Sequence, residues 1–207
     1  LGPPMICKDP PGFDRVAFHR DFNRQVVAFF RARLAPGLQA QGDHVTVSTP
    51  QMTVKVRGDF RATGPHVFSK AEDKGYHFNA SLVSFVRPDQ VVSVVAERLV
   101  EDLSLDYSDL SPATWPDHRF LARSRGCASL TPAQAAAMPP ETGMAWIRQA
   151  GFQPQGSFAF EAALLLAPDH RHEATVELIA PVASCKDPKG IDVALAGLRD
   201  RIQVSAP

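Results

Sequence analysis

"SFAFEAALLLAPDHRHEATVELIAPV" (157–182) carries two strand-length runs, "SFAFEAALLLA" and "HEATVELIAPV", on either side of the turn-forming group "PDHR". Runs of this length bounded by Pro and Asp predict a β-hairpin. A hairpin of that size needs neighbouring strands or helices to bury its faces. "HVTVSTPQMTVKVRG" (44–58) alternates Val45, Val47, Met52, Val54 and Val56 with polar residues, and Pro50 interrupts it. That period of two predicts two strands or one kinked edge strand. "YHFNASLVSFV" (76–86) is rich in aromatic and β-branched residues and reads as a further strand.

Helices are expected in three places. "FDRVAFHRDFNRQVVAFFRARLAPG" (13–37) sets Phe18, Phe22, Val26, Phe29 and Phe30 at helical spacing, with arginines elsewhere around the cylinder. "RPDQVVSVVAERLVEDLS" (87–104) offers Pro88 for a first helical turn and a face of Val91, Val92, Val95, Leu99 and Leu103. "KDPKGIDVALAGLRDRI" (186–202) presents Ile191, Ala194, Leu195, Leu198 and Ile202 as one stripe. Between the second and third lies a Pro-rich insertion, 104–142, in which Thr131 can cap a short helix at "TPAQAAAM". "TGMAWIRQAG" (142–151) adds a turn or two of helix. The expected core includes Phe22, Val26, Val95, Leu99, Leu164, Leu178, Leu195 and Leu198.

The fold class is therefore α+β: a mostly antiparallel sheet with helices packed on it, as one domain over 1–207. "LGPP" (1–4) before Met5 reads as an expression remnant, with Met5 the natural start. No signal peptide is visible, which predicts a cytoplasmic protein, or a periplasmic one if a signal peptide has been removed.

Composition excludes some partners. Lys plus Arg is 22 and Asp plus Glu is 22, so the chain has no basic surplus for a nucleic-acid backbone. No run approaches the roughly 20 apolar residues of a membrane span. The local basic run "HRFLARSR" (118–125) reads as a solvated loop. Three cysteines, Cys7, Cys127 and Cys185, are too few for a disulfide scaffold and lack zinc spacing, so free buried thiols are expected. A Cys7–Cys185 bridge is conceivable because both stand in the same phrase.

That phrase is "CKDPPGFD" (7–14) and "CKDPKGID" (185–192), identical at six of eight positions and each placed before an amphipathic helix. Asp9 and Asp187 can cap helices whose first turn holds Pro10 or Pro188; alternatively the caps are Asp14 and Asp192. A distant internal duplication and convergent capping each explain the repeat.

Candidate sites are few. "DHRHE" (169–173) places His170, His172 and Glu173 at the hairpin tip, the best available metal ligands, without a supporting second pair. Cys127 in "SRGCAS" lacks the surroundings of a nucleophile. The acidic run "EDLSLDYSD" (101–109) lacks the glycine turn of a calcium loop. No phosphate-binding, dinucleotide-binding, nucleophile-elbow or zinc-protease motif is present. The expectation is no cofactor, no metal and no catalytic residue.

From residue 45 to 202 the order strands, helix, insertion, hairpin, helix resembles the PsbP-like α/β sandwich, a fold of type VI secretion effector-associated chaperones. The resemblance rests on "ASLVSFVRPDQVVSVVAERLV" (80–100), and on "FEAALLLAPDHRHEATVELIAPV" (160–182) leading into "IDVALAGLRDRI" (191–202). Toxin-neutralising immunity proteins can end in a similar hairpin and helix. The N-terminal helix and the long insertion depart from that pattern, and no functional residue carries over. The resemblance implies a non-enzymatic bacterial module that binds another protein, a toxin or secreted effector. A small hydrolase or transferase with an unfamiliar polar cleft is the alternative. A cleft where polar groups of displaced pKa converge would favour the second; a large exposed face without one would favour the first.

Overall fold

A computed structural model describes residues 12–34, 37–71, 75–131, 133–134, 137, 143–153 and 155–207. The chain divides into two compact units, Leu1–Leu34 and Ala35–Pro207. In the first, α1 (Arg15–Leu34) forms where the aromatic spacing predicts it. Its Phe22 is not core: it is 52% exposed. Phe22 stacks on Phe18 instead, with ring centroids 6.0 Å apart, and Phe13 packs on Phe18 at a tilt with centroids 5.3 Å apart. Val26 is half-buried, and the side chains of Phe29 and Phe30 lie outside the described residues.

The second unit is built on two antiparallel sheets. Strands β1 (Leu38–Gln41), β2 (His44–Ser48), β3 (Gln51–Val56) and β11 (Ile202–Ser205) form a four-stranded sheet in that order. The larger sheet has seven strands: β4 (Arg61–Ala62), β5 (His66–Ala71), β6 (His77–Val86), β7 (Val91–Leu99), β8 (Leu121–Leu130), β9 (Gly156–Leu166) and β10 (His172–Val182). Its spatial order is β4-β6-β7-β10-β9-β8, with β5 also paired to β6. The predicted hairpin is β9–β10, in register from Glu173 opposite Leu166 to Val182 opposite Ser157.

The expected helix at 87–104 is a strand. β7 lies between β6 and β10 and is buried on both faces, so its apolar residues run almost continuously and mimic a helical stripe. Val91, Val92, Val94 and Val95 are β-branched, which suits a pleated strand better than a helix. Pro88 starts no helix; it sits in the β6–β7 turn, closed by the Arg87 amide donating to the Gln90 carbonyl at 2.9 Å.

Part of the 104–142 insertion is also strand. "LARSRGCASL" is β8, the sheet edge, where a polar composition is tolerated because one side of the strand faces water. Gly126 stands opposite Phe160, and a Cβ there would lie 2.7 Å from the ring. Only glycine lets that aromatic ring cross the edge strand. Thr131 does cap a turn: its Oγ1 accepts from the Gln134 amide at 3.2 Å, and Gln134 Oε1 accepts from the Thr131 amide at 2.9 Å. The rest of "TPAQAAAM" lies largely outside the described residues.

One core joins both sheets and α3 (Pro188–Arg199). Val45, Val54 and Val56 from the small sheet meet Phe85, Val94 and Val176 from the large one, with Leu195 and Leu198 of the helix fully buried among them. Each such side chain contributes roughly 1.5–3 kcal/mol by leaving water. Ile202 belongs to β11 and not to the helical stripe, because α3 ends at Arg199. Val95, Leu99, Leu164 and Leu178 are buried as expected.

The twin phrases start helices differently. Asp14 caps α1, its Oδ1 accepting from the Ala17 amide at 2.9 Å, after Gly12 turns the chain at φ 82°. In the second copy Asp187, not Asp192, occupies the N-cap, with Pro188 in the first turn. Asp187 makes no side-chain cap bond, contrary to expectation. Its carboxyl leans over Gly190, where a Cβ would stand 2.6 Å from Oδ2, without aligning on an amide. Asp192 lies inside α3 and pairs with Arg125. Cys7 and Asp9 lie outside the described residues.

The cysteine expectation is corrected as well. Cys127 and Cys185 form a disulfide, with Cα atoms 5.4 Å apart. Cys127 sits opposite Ala159 on β8, and Cys185 lies in the turn entering α3, so the bridge pins the sheet edge to the start of the helix.

Candidate functional site

Alternation along β10 sorts its side chains. Ala174, Val176, Leu178 and Ala180 enter the shared core, which turns Glu173, Thr175, Glu177 and Ile179 to the other face of the large sheet. Val92, Val94 and Ala96 of β7 also enter that core, which leaves Ser93, Val95 and Glu97 beside the β10 group. On this outer face the sheet puts acids next to one another. Glu97 and Glu173 are directly opposite across the strands, and both are buried.

Two bases answer them. Lys70 of β5 reaches Glu97 Oε1 at 2.9 Å. Arg123 pairs with Glu173, whose second carboxylate oxygen accepts from the Tyr107 hydroxyl. Arg123 reaches this face because of a register shift between Ala122 and Ser124 in the β8–β9 pairing. Arg125 and Cys127 point to the opposite face, toward α3, so simple alternation would send Arg123 there too. The extra residue re-aims it.

The environment displaces the acids. Burial, then the hydrogen bond and charge of Glu173, push Glu97 up to about 8 against the opposing pull of Lys70. The Glu97–Glu173 pair therefore holds a proton near neutrality. Burial works against the charge on Arg123, but Glu173 and Glu97 outweigh it and keep the guanidinium protonated. Glu177 is exposed by area yet sits in the hollow of the sheet, and the crowding raises its carboxyl, opposed by Arg123 and Lys70.

Helix α2 (Gly143–Gln149) roofs part of this face. Trp146 stacks on His66 with centroids 4.6 Å apart, and Ile147 is buried against Phe152 and Phe158. Under the roof lie two cavities of about 240 Å³ each, which share Met144, Glu177 and Ile179. The first is apolar, walled by Leu130, Phe152, Phe158 and Phe160. The second is polar, walled by Lys70, Glu97, Arg123 and Thr175. Thr175 is 3% exposed, and its Oγ1 has no hydrogen-bond partner among the described residues.

The residues singled out from sequence are dispersed. His170 adopts φ 53° and turns its Nδ1 to the Leu105 carbonyl at 3.2 Å. His172 Nδ1 pairs with Asp169 Oδ2 at 2.6 Å, and Glu173 joins the buried network on the outer face. Among the described residues no group of three or more His, Cys, Asp or Glu side chains is placed to hold a metal ion. Cys127 is bonded to Cys185 and offers no thiol. The acidic run scatters: Glu101 pairs with His77 at 2.6 Å, Asp102 with Arg171 at 3.0 Å, and Tyr107 with Glu173. The arginines of 118–125 pair with Asp117, Glu173 and Asp192 in turn, and residues 121–125 belong to β8 and not to the expected solvated loop.

No motif in the sequence marks Lys70, Glu97, Arg123, Thr175 and Glu177 as one site. One signal was present: Glu173, Thr175 and Glu177 recur at a spacing of two inside an apolar strand, which sets three polar groups on one sheet face. Compared with protein-family models, curated proteins and solved structures, the chain has no significant match.

Proposed function

We propose that this chain is a binding domain that works without catalysis and receives a guest in the hollow on the outer face of the large sheet. One observation carries the reading: an apolar and a polar cavity meet at Glu177, beside the buried and unpartnered Thr175 hydroxyl. Ligand sites combine apolar walls with a few convergent polar groups in this way. The displaced carboxyls also support the hydrolase alternative. Against it, Lys70 and Arg123 are spent on Glu97 and Glu173, and the described lining holds neither His nor Cys. The test is a soluble fragment set of small aromatics followed through the methyl signals of Met144 and Ile179. Shifts concentrated on these two methyls are expected; shifts scattered over the surface, or none, would sink the proposal.

The protein-binding reading, as a toxin-neutralising immunity protein or secretion accessory, is favoured by the exposed Phe18 and Phe22 of α1 and Phe13 just before it. Changing Phe18 and Phe22 to Ser would abolish a complex with such a partner and leave the hollow untouched. The two sheets and α3 around one core support an α/β sandwich of the PsbP-like kind, although the helix expected at 87–104 is replaced by β7. The Cys127–Cys185 bridge supports an oxidising compartment such as the bacterial periplasm over the reducing cytoplasm. No described helix is long and apolar enough to cross a membrane.

A further inference from the structure

The Cys127–Cys185 bond joins two segments that few other contacts hold. β8 is the edge of the large sheet, and among the described residues 124–130 have ladder partners in β9 alone. Across the bond, α3 begins without a side-chain cap, because Asp187 makes no such bond. The polar contacts nearby are small: Ser129 Oγ lies 2.8 Å from Ser157 Oγ, and the Lys186 amide donates to Ser184 Oγ at 3.1 Å. The body of α3 is held without sulfur, by Leu195 and Leu198 in the core and by the pairs Arg125–Asp192 and Arg199–Glu161. Cutting the bond therefore frees a strand end and a helix start while the core keeps both elements in place. That strand end is a wall of the apolar cavity: Ser124, Ala128 and Leu130 line it together with Phe158 and Phe160 of β9. Both cysteines keep part of their surface in water, and disulfides that reach solvent are the labile ones.

We infer that the Cys127–Cys185 bond is a redox latch on the apolar cavity. Closed, it fixes the β8 wall against a guest; opened by a dithiol, it loosens residues 126–130 and releases the guest while the fold persists. The effect on a guest rests on the reading of the hollow as a binding site; the loosening of β8 does not. One thiolate of the dithiol attacks a protein sulfur to form a mixed disulfide, and its second thiolate then displaces that sulfur. Two electrons and two protons end on Cys127 and Cys185 as thiols, and the dithiol leaves as a cyclic disulfide. A wall that is formed only about a tenth of the time lowers the apparent affinity of its guest about tenfold.

The experiment treats the full chain with millimolar dithiothreitol and no denaturant, in a Cys7→Ser background so that the thiols counted come from the bond. Both thiols should appear while the amides of Val94 and Val176, in central strands, stay slow to exchange. Amides of 126–130 should exchange about tenfold faster or more. Indole, followed by the methyl signal of Met144, should bind about tenfold more weakly to the reduced protein. The Cys127→Ser, Cys185→Ser chain should match the reduced protein in both measurements, and reoxidation of the reduced chain should restore both. Thiols that appear only in denaturant, or unchanged exchange at 126–130 after reduction, overturn the latch. So does loss of protection at Val94 and Val176, which would mean that the bond holds the whole fold. Indole bound equally by the oxidised and reduced chains overturns the latch's hold on the cavity. If the oxidised chain does not bind indole at millimolar concentration, the reading of the hollow falls, and exchange at 126–130 alone decides the latch.

Discussion

Glu97 and Glu173 face each other directly across β7 and β10, buried, with their carboxyls hydrogen-bonded. Two carboxylates cannot both stay charged at that distance from water, so the fold retains a proton that the unfolded chain would release. The sign of the pH effect follows. Glu97 has its acidity weakened in the fold, from an ordinary value of 4.5 to about 8, so its contribution is fully present below pH 4.5. It is lost as pH rises through about 8. Glu97→Gln mimics the protonated acid and removes this loss. The melting temperature of the wild type should fall across that window, and the variant should gain on it by roughly 2–4 kcal/mol at pH 9. Parallel curves for the two proteins would show that the pair does not share a proton.

Arg123 is tested by what its removal strands. Glu173 is fully buried, and its guanidinium partner is the charge that keeps it there. Arg123→Ala should cost about 3–5 kcal/mol, measured by urea unfolding, because it leaves an uncompensated buried charge. Adding Glu173→Gln should recover part of that loss. A double variant as unstable as the sum of the two single changes would mean that the two side chains act independently.

How much of this was readable beforehand depended on period. The β9–β10 hairpin and the alternation of 44–58 announce themselves because each strand has one face in the core and one outside. β7 hid because both of its faces are buried, so Val91, Val92, Val95 and Leu99 fit a helix as well as a strand. β8 hid for the opposite reason: as an edge it keeps polar residues on show. The site was largely illegible. Lys70, Glu97, Arg123 and Glu173 come from four different strands, and no local spacing brings them together. The β8 irregularity that turns Arg123 inward is set by tertiary pairing with β9. The cysteine pairing was equally non-local, with the partners 58 positions apart in sequence.

That separation sets the size of the disulfide's effect. Closing a loop of 58 residues restricts the unfolded chain by roughly 4 kcal/mol on the chain-entropy account, with about 2–4 the usual yield. Changing Cys127 and Cys185 both to Ser should therefore lower stability by about 2–4 kcal/mol in urea unfolding. The same drop should follow when the wild type is fully reduced. If reduction changes nothing, the two sulfurs are not bonded in the protein in solution.

The twin phrases give the last test, because their shared letters do different work. Asp14 holds the Ala17 amide at 2.9 Å, whereas Asp187 occupies its N-cap without a side-chain bond. A lost side-chain cap costs about 0.5–2 kcal/mol, and an aspartate near a helix N-terminus without such a bond retains only the weaker dipole contribution of about 0.3–1 kcal/mol. Asp14→Ala should reduce helix content at α1, seen by amide exchange over residues 15–26. Asp187→Ala should change the melting temperature little. Asp192→Ala should act through Arg125 instead, as an exposed ion pair worth about 0.2–1 kcal/mol. Equal losses for Asp14→Ala and Asp187→Ala would restore the view that one capping device is used twice. A larger loss at Asp187 would mean that its carboxyl bonds the first turn of α3 after all.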